Sequence, residues 1–171
     1  MTKLTRRAVL LFGSAAVLSA CASTAPITPR PASASNSDRP EDLTRDQIVA
    51  AINATRRKHG AAPWSYNPAL ETAARSQASL MASQDKLSHN LGTTLRQRVS
   101  AAGYQTAVGE NVAKGYQTLP ATIDGWLASS GHRATLLSPK FVEFGLAFAR
   151  TGSGKLYWAL IAGGPFEAWY G

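Results

Sequence analysis

The stretch FGLAFARTGSGKLYWALIA, residues 144–162, decides the fold. In residues 144–149, large apolar side chains alternate with Gly and Ala, and residues 156–162 are almost entirely apolar. The Gly-Ser-Gly at residues 152–154 predicts a turn between two strands, so the whole stretch predicts an antiparallel hairpin. Because both faces of the first strand, residues 144–149, are non-polar, we expect that strand to be covered on both sides.

Helical patterns precede this hairpin. Thr44 and Gln47 have the spacing of a capping box at the start of a first helix. Asn67-Pro68 predicts the start of a second helix, a third covers about residues 94–102, and Pro120 opens a fourth. Helices first and an antiparallel hairpin last predict an α+β fold, with helices on the faces of a small sheet.

Length and charge narrow the class of protein. The chain has 171 residues, of which 44% are apolar, and this is enough for one domain with a substantial core.

The formal net charge is +8, and three of the cationic residues lie in the first 20, so a chain that begins at Cys21 carries +5. A basic surface suits anionic lipid head groups or cell-wall polymers. The cations are scattered and form no run interleaved with aromatic residues, so we expect no nucleic-acid binding. No feature of the sequence points to a particular protein partner.

The N-terminus has the composition of an export signal. Basic residues precede an apolar middle, and small residues precede Cys21, the single cysteine of the chain. Leu18-Ser19-Ala20-Cys21 resembles a bacterial lipobox, whose cysteine receives lipid before cleavage. We therefore predict a signal peptide over residues 1–20 and a membrane anchor at Cys21. Arg6-Arg7 leaves the export route open between the general secretory and twin-arginine pathways.

A flexible tether is predicted over residues 21–42. This segment is rich in Ala, Ser, Thr and Pro and has no periodic apolar pattern, so it cannot bury enough surface to fold. The folded domain is then expected over residues 43–171. Ala22, which is not acidic, follows the cysteine, and this resembles an outer-membrane lipoprotein more than an inner-membrane one. We expect an exported cell-envelope lipoprotein at the outer membrane or its periplasmic face.

Four segments of the chain resemble the CAP superfamily (cysteine-rich secretory, antigen 5 and pathogenesis-related proteins), particularly its short bacterial lipoprotein branch. In chain order, these segments are residues 53–63, 87–90, 109–113 and 126–133. Each segment alone is a weak indication, whereas the ordered set is specific. The resemblance covers about residues 44–164 and implies an α-β-α sandwich with a small antiparallel sheet between helices.

The resemblance also implies a ligand cleft. The family's cleft carries two histidines and two acids, and His89, Glu110 and His132 fall on three of these positions. The fourth acidic position falls near Ser129, so this chain departs from the family pattern, and a mechanism that needs two carboxylates is weakened. Two imidazoles, one carboxylate and a water form a common catalytic zinc shell, so the set would suit Zn²⁺. In the alternative interpretation these side chains only hydrogen-bond one another and the backbone, with Glu110 holding a turn.

Members of the family bind lipids, sterols or other small ligands. The resemblance therefore implies an envelope-anchored, non-catalytic module that binds a lipid or other small ligand in the His/Glu cleft. Two alternatives stay open: a metal-dependent hydrolase that acts on peptide, cell-wall or ester bonds, and a purely structural envelope protein. Ser129 and Ser130 lie near His132 in the sequence, but no Gly-x-Ser-x-Gly elbow surrounds them, so we expect no serine hydrolase and assign no catalytic residue.

Other residues with chemical potential are expected to be structural. Trp64, Trp126 and Trp158 each lie within an apolar pattern, so we place them in the core. His59 lies at the predicted C-terminus of the first helix, where a cation suits the helix dipole.

Replacement of Cys21 by serine tests the membrane anchor. Because Cys21 is the single thiol of the chain, Cys21→Ser should yield a protein that is either soluble or still carries its signal peptide. One lipid chain gives only marginal membrane binding, so stable attachment of the wild type requires more than one acyl chain. Cell fractionation with immunoblotting measures both outcomes. A cleaved Cys21→Ser protein that stays with the membrane would contradict the lipoprotein prediction.

Overall fold

The computed structural model describes residues 39–169. The predicted signal peptide, Cys21 and all but the end of the predicted tether lie outside the described residues. The described helices are α1 Arg45–Lys58, α2 Pro68–Ser83, α3 Leu95–Ala101, α4 Leu119–Ala128 and α5 Ser130–Leu137. The described strands are β1 Ser65–Tyr66, β2 Ala107–Lys114, β3 Glu143–Arg150 and β4 Leu156–Gly164. Short 3₁₀ helices cover Pro40–Asp42 and Phe166–Trp169.

The predicted hairpin is the centre of the sheet. The strand order is β1-β3-β4-β2, and β4 pairs antiparallel with both β3 and β2. The two residues of β1 add a short parallel pair at the start of β3. Four consecutive residues of β3, 144–147, are buried, so the prediction that this strand is covered on both sides is confirmed there. Every residue of β4 is buried as well.

Two helical layers cover the sheet. Side chains alternate between the two faces of a strand, and Trp158, Leu160 and Ala162 of β4 pack in one core together with residues of α1, α4 and α5. Tyr157, Ala159 and Ile161 pack in a second core with residues of α2 and α3. The α-β-α sandwich expected from the sequence is therefore confirmed.

The helix starts follow the predicted capping chemistry. Thr44 and Gln47 form a full capping box at α1, and Asn67 accepts from two backbone N–H groups at the start of α2. The three tryptophans placed in the core from the sequence, Trp64, Trp126 and Trp158, are all buried. His59 is the C-cap of α1 and is exposed, in agreement with a structural role.

Glu110 lies in a strand and not in the turn of the alternative interpretation. Ala107–Lys114 forms β2, an edge strand that contains two buried polar residues, Glu110 and Asn111. Gly109 leaves no room for a larger residue, because a Cβ there would lie 2.8 Å from the ring of Phe141. The polar residues interrupt the apolar pattern that normally indicates a buried strand, and this explains why the strand was missed.

The last residues of the predicted tether contact the domain. Pro40 is buried, and the carboxylate of Glu41 accepts a hydrogen bond from Arg150 of β3 at 2.6 Å. The packed part of the chain thus includes Pro40–Asp42, just before the predicted start at residue 43. Among residues 39–169, no helix combines the length and apolar character needed to cross a bilayer.

Arg56 ties α1 to the end of α5. Its buried guanidinium donates to the carbonyl oxygens of Ala62 at 2.7 Å, Leu136 at 2.5 Å and Ser138 at 3.2 Å. It also lies 3.7 Å from the centre of the Trp64 ring. Burial lowers the pKa of Arg56 to about 10, so the side chain is still a cation at neutral pH.

Replacement of Arg56 by methionine should strongly destabilise the domain. Methionine keeps much of the side-chain volume but leaves three backbone carbonyls without their donor. An unsatisfied buried group costs about 1–3 kcal/mol, and the bond to Leu136 is fully buried, so we expect the free energy of unfolding to fall by about 2 kcal/mol or more. Urea unfolding followed by circular dichroism measures the loss. Arg57→Met, the exposed neighbour on the same helix, is the control and should change stability by less than about 0.5 kcal/mol. Equal losses in the two variants would contradict this role for Arg56.

Candidate functional site

Glu110 occupies the centre of the site. It lies on the edge strand β2 opposite Ile161, so its side chain points into the layer formed by α2 and α3. The residue is only 8% exposed. One carboxylate oxygen, Oε1, accepts from Nη2 of Arg98 at 2.6 Å, and the other, Oε2, lies 2.8 Å from Nδ1 of His89. Both oxygens of Glu110 are therefore engaged by side chains of this protein.

Arg98 is a site residue that the sequence analysis missed. It lies on α3, is 3% exposed, and donates from Nη1 to the carbonyl oxygen of Thr93 at 2.6 Å. Both of its terminal nitrogens also lie 3.4 Å from the carbonyl oxygen of His89. The sequence did carry an indication, because Arg98 shares the helix face of Leu95 and Ala102, both packed against the core. A cation on such a face needs a buried partner.

His132 approaches from the other helical layer. It lies in the first turn of α5, and its carbonyl oxygen accepts from Nδ2 of the fully buried Asn111 at 2.8 Å. Consecutive residues of a strand point to opposite faces, so Glu110 contacts one layer and Asn111 the other. The rings of His89 and His132 meet beside this edge of the sheet, with their centroids 6.4 Å apart.

A cleft of about 290 Å³ opens beside His132. Its apolar walls include Trp126 and two partly exposed side chains, Leu87 and Tyr116, which are 40% and 39% exposed. Its polar groups come from Lys114, Ser129 and His132. Ser129, near which the resemblance places the fourth position of the family's cleft, thus lies in the wall of the cleft.

The structure brings the sequence-predicted residues close together but gives them different surroundings. Ser129 and His132 line the cleft, His89 lies beside His132, and Glu110 lies behind His89 in the interior. Their assignment as a ligand cleft stays a prediction.

The same contacts do not suit a zinc shell. Glu110 uses one oxygen for the Arg98 cation and the other for His89, so it has no free oxygen to offer a metal. Within residues 39–169, no three His, Cys, Asp or Glu side chains are placed to hold one metal ion. We therefore derive no chemical step through a metal.

The two histidines differ in their proton affinity. The hydrogen bond to Glu110 raises the pKa of His89 above the ordinary value, although burial and the charge of Arg98 oppose this effect. Burial lowers the pKa of His132, and the charge of His89 lowers it further. As the pH falls, His89 therefore gains its proton before His132 does.

The split between the two histidines can be measured by NMR titration. We expect His89 to titrate above the ordinary histidine pKa of about 6.5 and His132 below it. His89→Gln removes a neighbouring positive charge, so it should raise the pKa of His132. His59→Gln, at the end of α1, should leave it unchanged. An unchanged His132 pKa in His89→Gln would contradict the coupling.

The same shifts determine how stability depends on pH. The interaction of His89 with Glu110 stabilises the folded state fully below the unfolded pKa of histidine, and this contribution is lost as the pH rises through the raised pKa. The contribution of His132 has the opposite sign, because protonating it costs stability as the pH falls through its lowered pKa.

Comparison with known families and sequences gives consistent similarities. The profile of CAP, the Cysteine-rich secretory protein family, matches residues 49–161 of this chain. The uncharacterized protein YkwD of Bacillus subtilis (strain 168) is 32% identical over 111 residues, which is 63% of this chain and 43% of that protein. The uncharacterized membrane protein YlbC of the same strain is 30% identical over 114 residues, which is 64% of this chain and 33% of that protein. The chain thus spans less than half the length of these two relatives.

Solved structures share the fold. An outer surface protein from Borrelia burgdorferi aligns with a TM-score of 0.63 at 22% identity, over 70% of this chain and 91% of that one. An extracellular protein from Bacillus anthracis str. Ames that contains an SCP domain aligns with a TM-score of 0.61 at 24% identity, over 71% of this chain and 44% of that one. At these identities the alignments show a common fold.

Proposed function

Because this chain belongs to the CAP family, the Cysteine-rich secretory protein family, we propose that it is an exported envelope lipoprotein whose domain binds a lipid or other small amphipathic ligand. The proposed binding site is the cleft beside His89 and His132, and the proposed role is binding without catalysis.

The make-up of the cleft carries this proposal. Small-molecule sites combine apolar walls with a few polar groups that orient the ligand. Here Leu87 and Tyr116 leave apolar surface exposed, while Lys114 and His132 supply polar groups in the same cleft. Covering this apolar surface with a ligand would be favourable by about 25 cal/mol per Å². A cleft of about 290 Å³ is near the lower end of ligand sites, so it suits a head group together with a short apolar segment.

The position of Glu110 favours binding over metal-dependent hydrolysis. A hydrolytic site needs a free base or a metal-bound water at the scissile bond. The one acid of this group is buried behind His89 and paired with Arg98, while Ser129 stands where a second acid would be. The cleft itself therefore presents apolar, hydroxyl, imidazole and ammonium groups without a carboxylate among them.

Export and anchoring are supported by two separate considerations. The N-terminal residues have the pattern of a signal peptide that ends at a lipobox cysteine, Cys21. Two proteins with the same fold are described as an outer surface protein and an extracellular protein. A tether that follows a lipid anchor would hold the cleft outside the membrane, where it can meet a ligand.

Filling the cleft should weaken ligand binding. The probe is 1-anilinonaphthalene-8-sulfonate, an apolar fluorophore whose sulfonate can meet Lys114. Ser129→Trp places a large ring in the cleft wall, and the serine side chain makes no capping hydrogen bond that would be lost. We expect the Kd of the probe, measured by fluorescence titration, to rise at least about fivefold, which is a loss of roughly 1 kcal/mol in binding.

Ser130→Trp is the matched control, because Ser130 is the exposed neighbour and is not part of the cleft wall. It should bind the probe as the wild type does. Equal binding by both variants would contradict the proposed site. Hydrolysis of a nitrophenyl ester by the wild type that is lost in His89→Gln would instead favour the hydrolase.

A further inference from the structure

We propose that Arg98 is the positioning residue of the cleft: it holds Glu110 so that His89 keeps its proton on Nδ1 and presents Nε2 as a hydrogen-bond acceptor to a ligand hydroxyl. The ligand hydroxyl rests on the proposed binding function, whereas the position of the proton on His89 requires no ligand.

Arg98 is fixed at several points. Nη2 donates to Glu110 at 2.6 Å and Nη1 donates to the carbonyl oxygen of Thr93 at 2.6 Å. The guanidinium is also within 3.4 Å of the carbonyl oxygen of His89. Arg98 thus contacts both the carboxylate of Glu110 and the backbone of His89, the residue that this carboxylate orients. The relative position of Glu110 and His89 therefore depends on Arg98.

Arg98 also compensates the buried charge of Glu110. A buried carboxylate is costly unless a cation and hydrogen-bond donors replace its lost hydration. Arg98 supplies that cation at 2.6 Å. An ionised carboxylate can only accept hydrogen bonds, so the 2.8 Å contact with His89 requires a hydrogen on Nδ1.

The tautomer of His89 follows from this contact. A neutral imidazole carries one N–H, so a hydrogen on Nδ1 leaves a lone pair on Nε2. The side chain of His89 is 57% exposed, and its ring lies next to that of His132 in the cleft wall. Among the described residues no hydrogen-bond partner occupies Nε2, so this atom of the half-exposed ring is available to a ligand, while Nδ1 is bonded to the buried Glu110.

An acceptor at Nε2 selects the ligand's polar group. A neutral His89 would attract a hydrogen-bond donor, such as a hydroxyl, an amide or an ammonium group. Lys114 lies in the cleft wall and would repel an ammonium. An uncharged donor is therefore favoured, and the simplest amphiphile that carries one ends in a hydroxyl.

The first experiment reads the tautomer directly. Nitrogen-15 chemical shifts distinguish the Nδ1–H and Nε2–H forms of histidine, and they are recorded at a pH where titration shows His89 to be neutral. In the wild type we expect the Nδ1–H form. In Arg98→Met we expect the Nε2–H form to predominate, because Glu110 then loses both its charge partner and its fixed position.

Arg96→Met is the matched control. Arg96 lies on the same helix, is exposed, and donates to the carbonyl oxygen of Thr106. This variant should keep the wild-type tautomer. A wild type in the Nε2–H form, or a folded Arg98→Met that keeps Nδ1–H, would overturn the proposal.

Loss of a buried ion-pair partner can unfold a domain. Should Arg98→Met not fold, Arg98→Lys and Arg98→Gln decide in its place. Lysine keeps a charge beside Glu110 and should retain the Nδ1–H form, whereas glutamine lacks the charge and should lose it. Wild-type tautomers in both variants would overturn the role of Arg98.

The second experiment tests the hydroxyl. 1-Decanol and its methyl ether, which has no hydrogen-bond donor, compete with the fluorescent sulfonate probe for the cleft. We expect the alcohol to compete at least about fivefold better in the wild type and in Arg96→Met, and this preference should disappear in Arg98→Met. Equal competition in the wild type would overturn the hydroxyl assignment. Absence of probe binding would count against the proposed function and leave the tautomer result intact.

Discussion

The burial of β4 on both faces is the constraint from which the rest of the structure follows. Each residue of this strand is buried, and its side chains pack alternately in two cores. One core lies between the sheet and α1, α4 and α5, and the other between the sheet and α2 and α3. β4 pairs with β3 on one side and with β2 on the other, and β2 forms an edge of the described sheet. Its successive residues, Glu110 and Asn111, then point into different helical layers. Glu110 holds a histidine from one layer, and Asn111 holds the backbone of a histidine from the other. The two rings meet at this edge because the sandwich has two layers and β2 touches both.

Local sequence patterns predicted the helix starts and the hairpin. The capping box of Thr44 and Gln47 was visible because the two residues lie three positions apart, and the hairpin because two apolar strands flank a Gly-Ser-Gly turn. β2 was not visible, because its buried polar residues depend on side chains and backbone groups of other elements. Glu110 is neutralised by Arg98, 12 residues earlier, and Asn111 bonds to His132, 21 residues later. The two residues of β1 were too few to form a pattern at all.

The family resemblance predicted a ligand cleft of His89, Glu110, His132 and Ser129, and that assignment stays a prediction. The structure brings these residues near one another. The carboxylate of Glu110 faces inward, where Arg98 contacts one oxygen and the imidazole of His89 the other. Ser129, near which the resemblance places the fourth, acidic position, brings no negative charge to the cleft wall. With Lys114 in the wall, the cleft is apolar and cationic, which is a different environment from one built around two carboxylates.

Two buried arginines show how a structural cation differs from a functional one. Arg56 donates its hydrogen bonds to three backbone carbonyls, two of them at the end of α5, so it joins two helices. Arg98 also donates to a backbone carbonyl, but in addition it pairs at 2.6 Å with the carboxylate of Glu110, which in turn bonds the half-exposed His89. Apolar residues of similar volume often replace a buried ion pair with little loss of stability or even a gain, so stability alone gives little reason for Arg98 and Glu110. An apolar pair could hold α3 against β2 equally well, but it could not orient an imidazole. Only the charged pair of Arg98 and Glu110 can orient the ring of His89, which lies beside His132 and the cleft.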